Sequence, residues 1–189
     1  ILLSLVGSEM CIRDSDYSKA IEINPEYIYA YLNRGSSKSL LKDYQGAIED
    51  YSKVIELDPS YKDAYFYRGR DKLELIDFHY EYFTKSANED FTKVIELDPN
   101  CINAYINRGS TKENLEDYQG AIDDYSKAIE LDPKSIIVFN NRGYAKYCLK
   151  DYQGVIEDYS KVIELDPNNS LAWGLRAVSY THLRAHETQ

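Results

Sequence analysis

Five prolines punctuate the chain at Pro25, Pro59, Pro99, Pro133 and Pro167, at intervals of 34, 40, 34 and 34 residues. A fixed period of this size marks a stacked-repeat architecture, in which one supersecondary unit recurs and buries its faces against its neighbours. The prolines close near-copies of one segment: DYSKAIEINP, DYSKVIELDP, DFTKVIELDP, DYSKAIELDP and DYSKVIELDP. Upstream lie KDYQGAIE (Lys42 to Glu49), EDYQGAID (Glu116 to Asp123) and KDYQGVIE (Lys150 to Glu157). A third block, YLNRG, FYRG, INRG and NNRG, sets glycines at Gly35, Gly69, Gly109 and Gly143.

Each unit reads as two helices. The first spans about Ile28 to Leu41, with Tyr31, Gly35 and Leu41 on one stripe. Asp43 is placed to cap the second helix, because its carboxylate accepts from free backbone N–H groups. The second helix carries Ala47, Ile48, Tyr51, Val54 and Ile55 at three- and four-residue spacing. Pro59 cannot continue that helix and is suited to open the next. Gly35 and Ala47 are small where two helices must approach closely.

Period, glycine, alanine, aromatic and proline in one register resemble the tetratricopeptide repeat, a helix–turn–helix unit of 34 residues. The resemblance implies an all-α fold, a right-handed superhelical solenoid of antiparallel helix pairs. It covers nearly all of residues 16–176: a second half-repeat at 16–27, full repeats at 28–61, 62–101, 102–135 and 136–169, and the start of another at 170–176. Repeat 62–101 is six residues longer than the rest. Its extra segment, around Ile76 to Lys85, holds Phe78, His79, Tyr80, Tyr82 and Phe83. These aromatics either pack on their own lengthened helices or add exposed binding surface.

The two ends are set aside. When residues at positions summing to 192 are paired, thirteen consecutive pairs can be encoded by reverse-complementary codons, from Leu3 with Gln189 to Ser15 with Ala177. One DNA segment read in opposite orientations accounts for this, and both peptides resemble translated sequencing adapter. Residues 1–15 and 177–189 are therefore read as artefact, and the apolar start as no signal segment. Without one, the cytoplasm is the expected compartment, and 16–176 reads as a fragment of a longer array.

Composition narrows function. Twenty-two basic against 32 acidic side chains give a net charge of −10, which argues against nucleic acid as a partner. Nothing reaches the roughly 18 apolar residues of a membrane span. Nineteen tyrosines are an excess that the repeat explains. Tyr17, Tyr51, Phe91, Tyr125 and Tyr159 share one second-helix position, and Tyr31, Tyr65, Tyr105, Phe139 and Trp173 one first-helix position. All are expected between helices.

One feature departs from the family pattern. Arg34, Arg68, Arg108, Arg142 and Arg176 precede the glycine position, and Lys38, Lys72, Lys112 and Lys146 follow it by three. Cations four apart on one helix repel. Asp16, Asp50, Asp90, Asp124 and Asp158 recur on the second helix. Either a ladder of Arg–Asp pairs joins the helices, or both sets are solvated faces.

No catalytic constellation is evident. With the ends set aside, His79 stands alone, Cys101 and Cys148 sit on different repeats, and neither a phosphate loop nor a GxSxG segment occurs. No cofactor, metal or reaction is expected. Asn168-Asn169-Ser170 fits a glycosylation sequon but reads better as the turn after Pro167.

The family resemblance implies a concave groove lined by first helices that holds a peptide or helix of a partner protein. Helical geometry selects the residues on that face. They are Tyr29, Leu32, Ser36 and Ser39 in the first repeat, and Asp63, Phe66, Arg70 and Leu73 in the second. Asn103, Ile106, Ser110 and Glu113 follow in the third, and Ile137, Asn140, Tyr144 and Tyr147 in the fourth. Beside them lie Asn33, Tyr67, Asn107 and Asn141. The amides either bond an extended peptide or are satisfied within their own helix pair. A chaperone C-terminal carboxylate is a poor fit, because Leu32, Phe66, Ile106 and Asn140 stand where such clamps carry lysine. Two functions are expected: a protein-interaction scaffold, or the recruiting module of a larger enzyme (phosphatase, kinase or prolyl isomerase). Self-association is a weaker third.

Overall fold

The computed structural model describes residues 14–75 and 80–187. They form ten helices and no strand. Helix α1 covers 14–23. It is followed by α2 (Ile28–Leu40), α3 (Tyr44–Leu57), α4 (Lys62–Leu73) and α5 (Tyr80–Leu97). Then come α6 (Ile102–Asn114), α7 (Tyr118–Leu131), α8 (Ile136–Cys148), α9 (Tyr152–Leu165) and α10 (Ser170–Glu187). The fold is all-α, and the chain divides into two compact units, 1–99 and 100–189.

Within unit 1, α2 packs on α3, α3 on α4 and α4 on α5. Its core joins Tyr31, Ala47, Tyr51, Val54 and Ala64. Unit 2 repeats the scheme from α6 to α10, with Phe139, Val155, Tyr159, Val162, Ile163 and Ala172 at its heart. The glycine rule has a steric cause. A Cβ on Gly35 would stand 2.8 Å from the Tyr51 ring, and one on Gly109 would stand 2.6 Å from the Tyr125 ring.

Local signals set the helix limits. Asp43, Asp117 and Asp151 accept from the backbone N–H of Gly46, Gly120 and Gly154, at 3.1, 3.0 and 3.0 Å. Each thereby caps a second helix. Proline behaves differently from the sequence expectation. Pro59 does not open α4; it sits in a turn before it. There Asp58 accepts from Ser60 N–H and O–H at 2.9 and 2.6 Å, a side-chain turn that places proline at its corner. The sequon is the same turn: Asn168 N–H donates to Asp166, and the Asn169 side chain accepts from Ala172 N–H.

First helices end with a left-handed residue that is not glycine: Lys42, Glu116 and Lys150 have φ of 64°, 62° and 61°. The 6→1 bond from Asp43 N–H to the Lys38 carbonyl, 2.9 Å, completes the cap, and 2.8 and 3.0 Å bonds do so at Asp117 and Asp151. A Cβ at such a position costs about 1–2 kcal/mol. Glu116→Gly and Lys150→Gly should therefore each raise stability by about 0.5–1 kcal/mol, after the entropy that glycine adds to the unfolded chain. Urea unfolding measures this; a loss of stability in both variants contradicts the cap.

The shared aromatic positions are buried in the four full repeats, while Tyr17 is half-buried and Trp173 exposed. Tyr51, Tyr125 and Phe91 are wholly enclosed and Tyr159 nearly so. Trp173 is 48% exposed, because α10 is the last helix among the described residues and no second helix of its repeat covers it. Residues 177–187 continue α10 unbroken, with Ser179 buried and His182 stacked on Tyr152 at 4.9 Å. Residues 1–13 lie outside the described residues.

Candidate functional site

The charged residues of each repeat form a closed set. Arg34 Nε and Nη2 donate to the two oxygens of Asp50 at 2.9 and 2.5 Å, and Lys38 Nζ lies 2.9 Å from the same carboxylate. Arg68 with Lys72 grips Asp90, Arg108 with Lys112 grips Asp124, and Arg142 with Lys146 grips Asp158. The aspartates are buried. Burial lowers the Lys72 pKa, and Asp90 acts against that shift. A third guanidinium nitrogen reaches back to the preceding second helix: Arg34 to Ser18, Arg68 to Ser52, Arg142 to Ser126 and Arg176 to Ser160. The guanidinium carbons of Arg34, Arg68, Arg108 and Arg142 stand 5.6–5.8 Å from the ring three residues earlier. The ladder reading holds over the solvated-face one: the aspartate between each Arg and Lys offsets their repulsion. These cations are spent on the fold.

Outer faces of the second helices are ordinary solvated surface. They carry the three-apart pairs Lys53–Glu56, Lys93–Glu96, Lys127–Glu130 and Lys161–Glu164, of the kind that contributes little to stability. First-helix faces differ.

In unit 1 the face belongs to α2 and α4. Tyr29 is 58% exposed, and Asn33 and Asp63 are exposed. Leu32 and Tyr67 pack against the core cluster and form the floor. The Phe66 ring meets Phe91 edge-on at 5.9 Å, and Tyr67 lies 5.8 Å from Tyr51. Ser36 accepts from the Tyr51 hydroxyl, whose pKa burial lifts to about 12. Arg70 lies over Tyr67 at 5.3 Å and donates to Ser39 and Asp71. In unit 2, Ile137, Tyr144 and Tyr147 are exposed by 63%, 53% and 41%. Asn103 is exposed, and Ile106, Ser110 and Asn140 are half-buried. Asn107 donates to the Asn103 carbonyl of its own helix at 2.7 Å, so its amide is satisfied internally. A cavity of about 230 Å³ opens between α8, α9 and α10, lined by Tyr144, Tyr147, Val155, Tyr159, Leu175 and Ser179.

Sequence reasoning passed over one group here. Asp71 is fully buried two residues after Gly69, where other repeats have Ser37, Thr111 or Ala145. That odd carboxylate was a visible signal. Burial raises its pKa, and hydrogen bonds from Ser39 and Arg70 act the other way. Glu113, selected with the first-helix face, lies beside the buried Tyr125 hydroxyl, a juxtaposition that spacing alone does not show.

Of the inserted aromatics, Tyr80 and Tyr82 are exposed by 47% and 68%, which favours the surface reading for them. Phe83 is half-buried with its ring 5.3 Å from Tyr82. Helix α5 absorbs part of the insertion by beginning at Tyr80, which gives it 18 residues where α3 has 14. Phe78 and His79 lie outside the described residues. No helix of the described residues is long and apolar enough to cross a membrane.

A family model described as Tetratricopeptide repeat matches residues 28–61, 102–135 and 136–169. No curated protein matches in sequence. Among solved structures, YrrB, described as a TPR protein with an unusual peptide-binding site, aligns with a TM-score of 0.76 at 23% identity, covering 89% of this chain and 84% of its own. MamA from Desulfovibrio magneticus RS-1 aligns at 0.71 and 22% identity, over 88% and 96%. The first TPR of Spaghetti (RPAP3), solved with the HSP90 peptide SRMEEVD, aligns at 0.58 and 23% identity, over 65% and 93%. At these identities the likeness is one of fold.

Proposed function

Since the chain belongs to the tetratricopeptide repeat family, we propose that it is a protein-interaction scaffold that holds a peptide or helix of a partner on its first-helix faces. The observation that carries this reading is a contrast between faces. Tyr29, Ile137, Tyr144 and Tyr147 are exposed on the first helices, while the second helices present lysine–glutamate pairs, apart from Tyr80 and Tyr82 at the lengthened start of α5. Exposed aromatics with a polar tip are suited to recognition, since they bury much area at little entropic cost. The arginines and lysines of the ladder are already occupied, so binding falls to aromatic, aliphatic and amide groups. YrrB and RPAP3, whose descriptions name peptides, lend the reading support by analogy. A chaperone carboxylate fits poorly, because neutral Leu32, Phe66, Ile106 and Asn140 stand at the position a clamp needs charged. The reading assigns the chain no reaction of its own.

The test is a screen of random peptides against the full chain and against a Tyr29→Ser, Tyr144→Ser double variant. Phe66 is unsuited to this because it packs on Phe91. Each lost anchor should weaken binders that use it by about tenfold, with an unchanged thermal melt. Equal binding by both chains, together with sensitivity to Lys127→Ala and Glu130→Ala, would move the site to the second helices.

A further inference from the structure

One rung of the ladder has its two halves on different helices that do not pair within a repeat. In full repeats Arg34, Arg68 and Arg142 each bridge two second helices. Nη1 donates to a serine of the preceding helix, and Nε and Nη2 donate to the aspartate of their own repeat. Of these bonds Arg176 on α10 makes the first, to Ser160 at 3.1 Å, with its guanidinium carbon 4.6 Å from the Trp173 ring centre. Among the described residues no second helix follows α10 to supply the aspartate.

Helix α1 carries the other half. Its Ser18 accepts from Arg34 at 3.0 Å, so it serves the first repeat as the preceding second helix. Its Asp16 is exposed, whereas Asp50, Asp90, Asp124 and Asp158 at the matching positions are buried. The rest of that stripe is open in the same way. Tyr17 and Ala20 are half-buried, while their counterparts Tyr51, Val54, Tyr125 and Ala128 are wholly enclosed. On α10 the stripe that would meet a second helix is Trp173, Arg176 and Ala177. Trp173 and Ala177 are exposed, where Tyr31, Phe139, Gly35 and Gly143 are buried. One stripe thus has an arginine and no aspartate, and the other an aspartate and no arginine.

We propose that α1 of one copy of the chain seats on α10 of another, so that the two complete a repeat between them. Asp16 accepts from Nε and Nη2 of Arg176, as Asp158 does from Arg142. Tyr17 lies against Ala177 beside Trp173, and apolar surface leaves water on both copies. The contact is weaker than one inside the chain for two reasons. A Cβ on Gly143 would stand 3.1 Å from the Tyr159 ring, so Ala177 holds Tyr17 slightly further out. Tyr180 stands where full repeats carry the ladder lysine, so the rung has one cation. The two surfaces differ, which makes the interface heterologous: copies add in series or close a ring. The contact lies off the first-helix binding face and is independent of that reading. Apart from Ala177, the residues that meet belong to 16–176.

The experiment is sedimentation velocity of the full chain from low micromolar to several hundred micromolar. The expected result is a sedimentation coefficient that rises with concentration. Asp16→Arg and Arg176→Asp should each weaken association by about tenfold or more, because each sets like charges face to face. An equimolar mixture of the two variants should restore it, because unlike charges again meet at every contact. Lys161→Asp makes the same charge change as Arg176→Asp at an exposed pair and should associate like the native chain. Thermal melts at the lowest concentration report folding. If Arg176→Asp fails to fold, Asp16→Glu is compared with Asp16→Arg: the first should keep the association and the second lose it. A monomer at every concentration, association that survives Asp16→Arg, an equal loss in Lys161→Asp, or a mixture no more associated than its folded components overturns the proposal.

Discussion

Replacing Asp158 with alanine should cost unit 2 about 3–5 kcal/mol. The carboxylate is buried and holds Arg142 through both oxygens and Lys146 at 3.0 Å, so its removal leaves two partly buried cations facing each other. Taking charge out of water is costly, and only the paired geometry offsets that cost. Asp158→Asn should be milder, since an amide oxygen still accepts one bond. Removing the exposed partner Glu164 from Lys161 should cost under about 0.5 kcal/mol. A combined Arg142→Met, Lys146→Met, Asp158→Leu variant should recover most of the loss, because no unpaired charge remains. Repeat arrays need not unfold in one step, so hydrogen exchange of α8 and α9 should be followed beside urea unfolding. A cost below about 1 kcal/mol for Asp158→Ala would mean that the three groups are solvated in practice.

The same ladder illustrates how far the sequence reaches. Arg34, Lys38 and Asp50 recur in every full repeat, so like charges four apart on one helix called for an opposite charge at a fixed place. Helix limits were legible for a related reason: Asp43, Asp117 and Asp151 act on backbone three residues away. What failed was tertiary or rotameric. Pro59 was placed at a helix start because proline favours that position, yet the Asp58 side-chain turn claims it first. The left-handed caps at Lys42, Glu116 and Lys150 lack the usual glycine and gave no signal. Trp173 shares its position with buried Tyr31 and Phe139 but not their covering helix. On the candidate face, helical spacing selected residues that face the same way without telling floor from rim. Leu32 and Phe66 are partly given to the core, while Tyr29 and Tyr144 are exposed. Asn107 turned back to its own helix, a choice that spacing cannot foresee.

Tyr125→Ala is the second large effect, with an expected cost of about 3–5 kcal/mol, the range for deleting a fully enclosed aromatic ring. Its partner is backbone. The ring lies where a Cβ on Gly109 would stand, 2.6 Å from its edge, so ring and glycine occupy one volume. Gly109→Ala in the native chain should therefore destabilise by about 1–3 kcal/mol through overpacking, despite alanine's better helix propensity. With Tyr125→Ala already in place the clash is gone, and the same substitution should stabilise by up to about 1 kcal/mol. The sign reversal is the test, and it isolates the contact from the general fragility of the fold. If the alanine background is too unstable to measure, Tyr125→Leu serves, because it also vacates the ring edge. Gly174→Ala is the control: nothing lies within 4 Å of a Cβ there, so it should stabilise in either background. An equal penalty for Gly109→Ala with and without the ring would show that the glycine is held by something other than close helix approach. The repeat's glycine and aromatic positions would then need separate explanations.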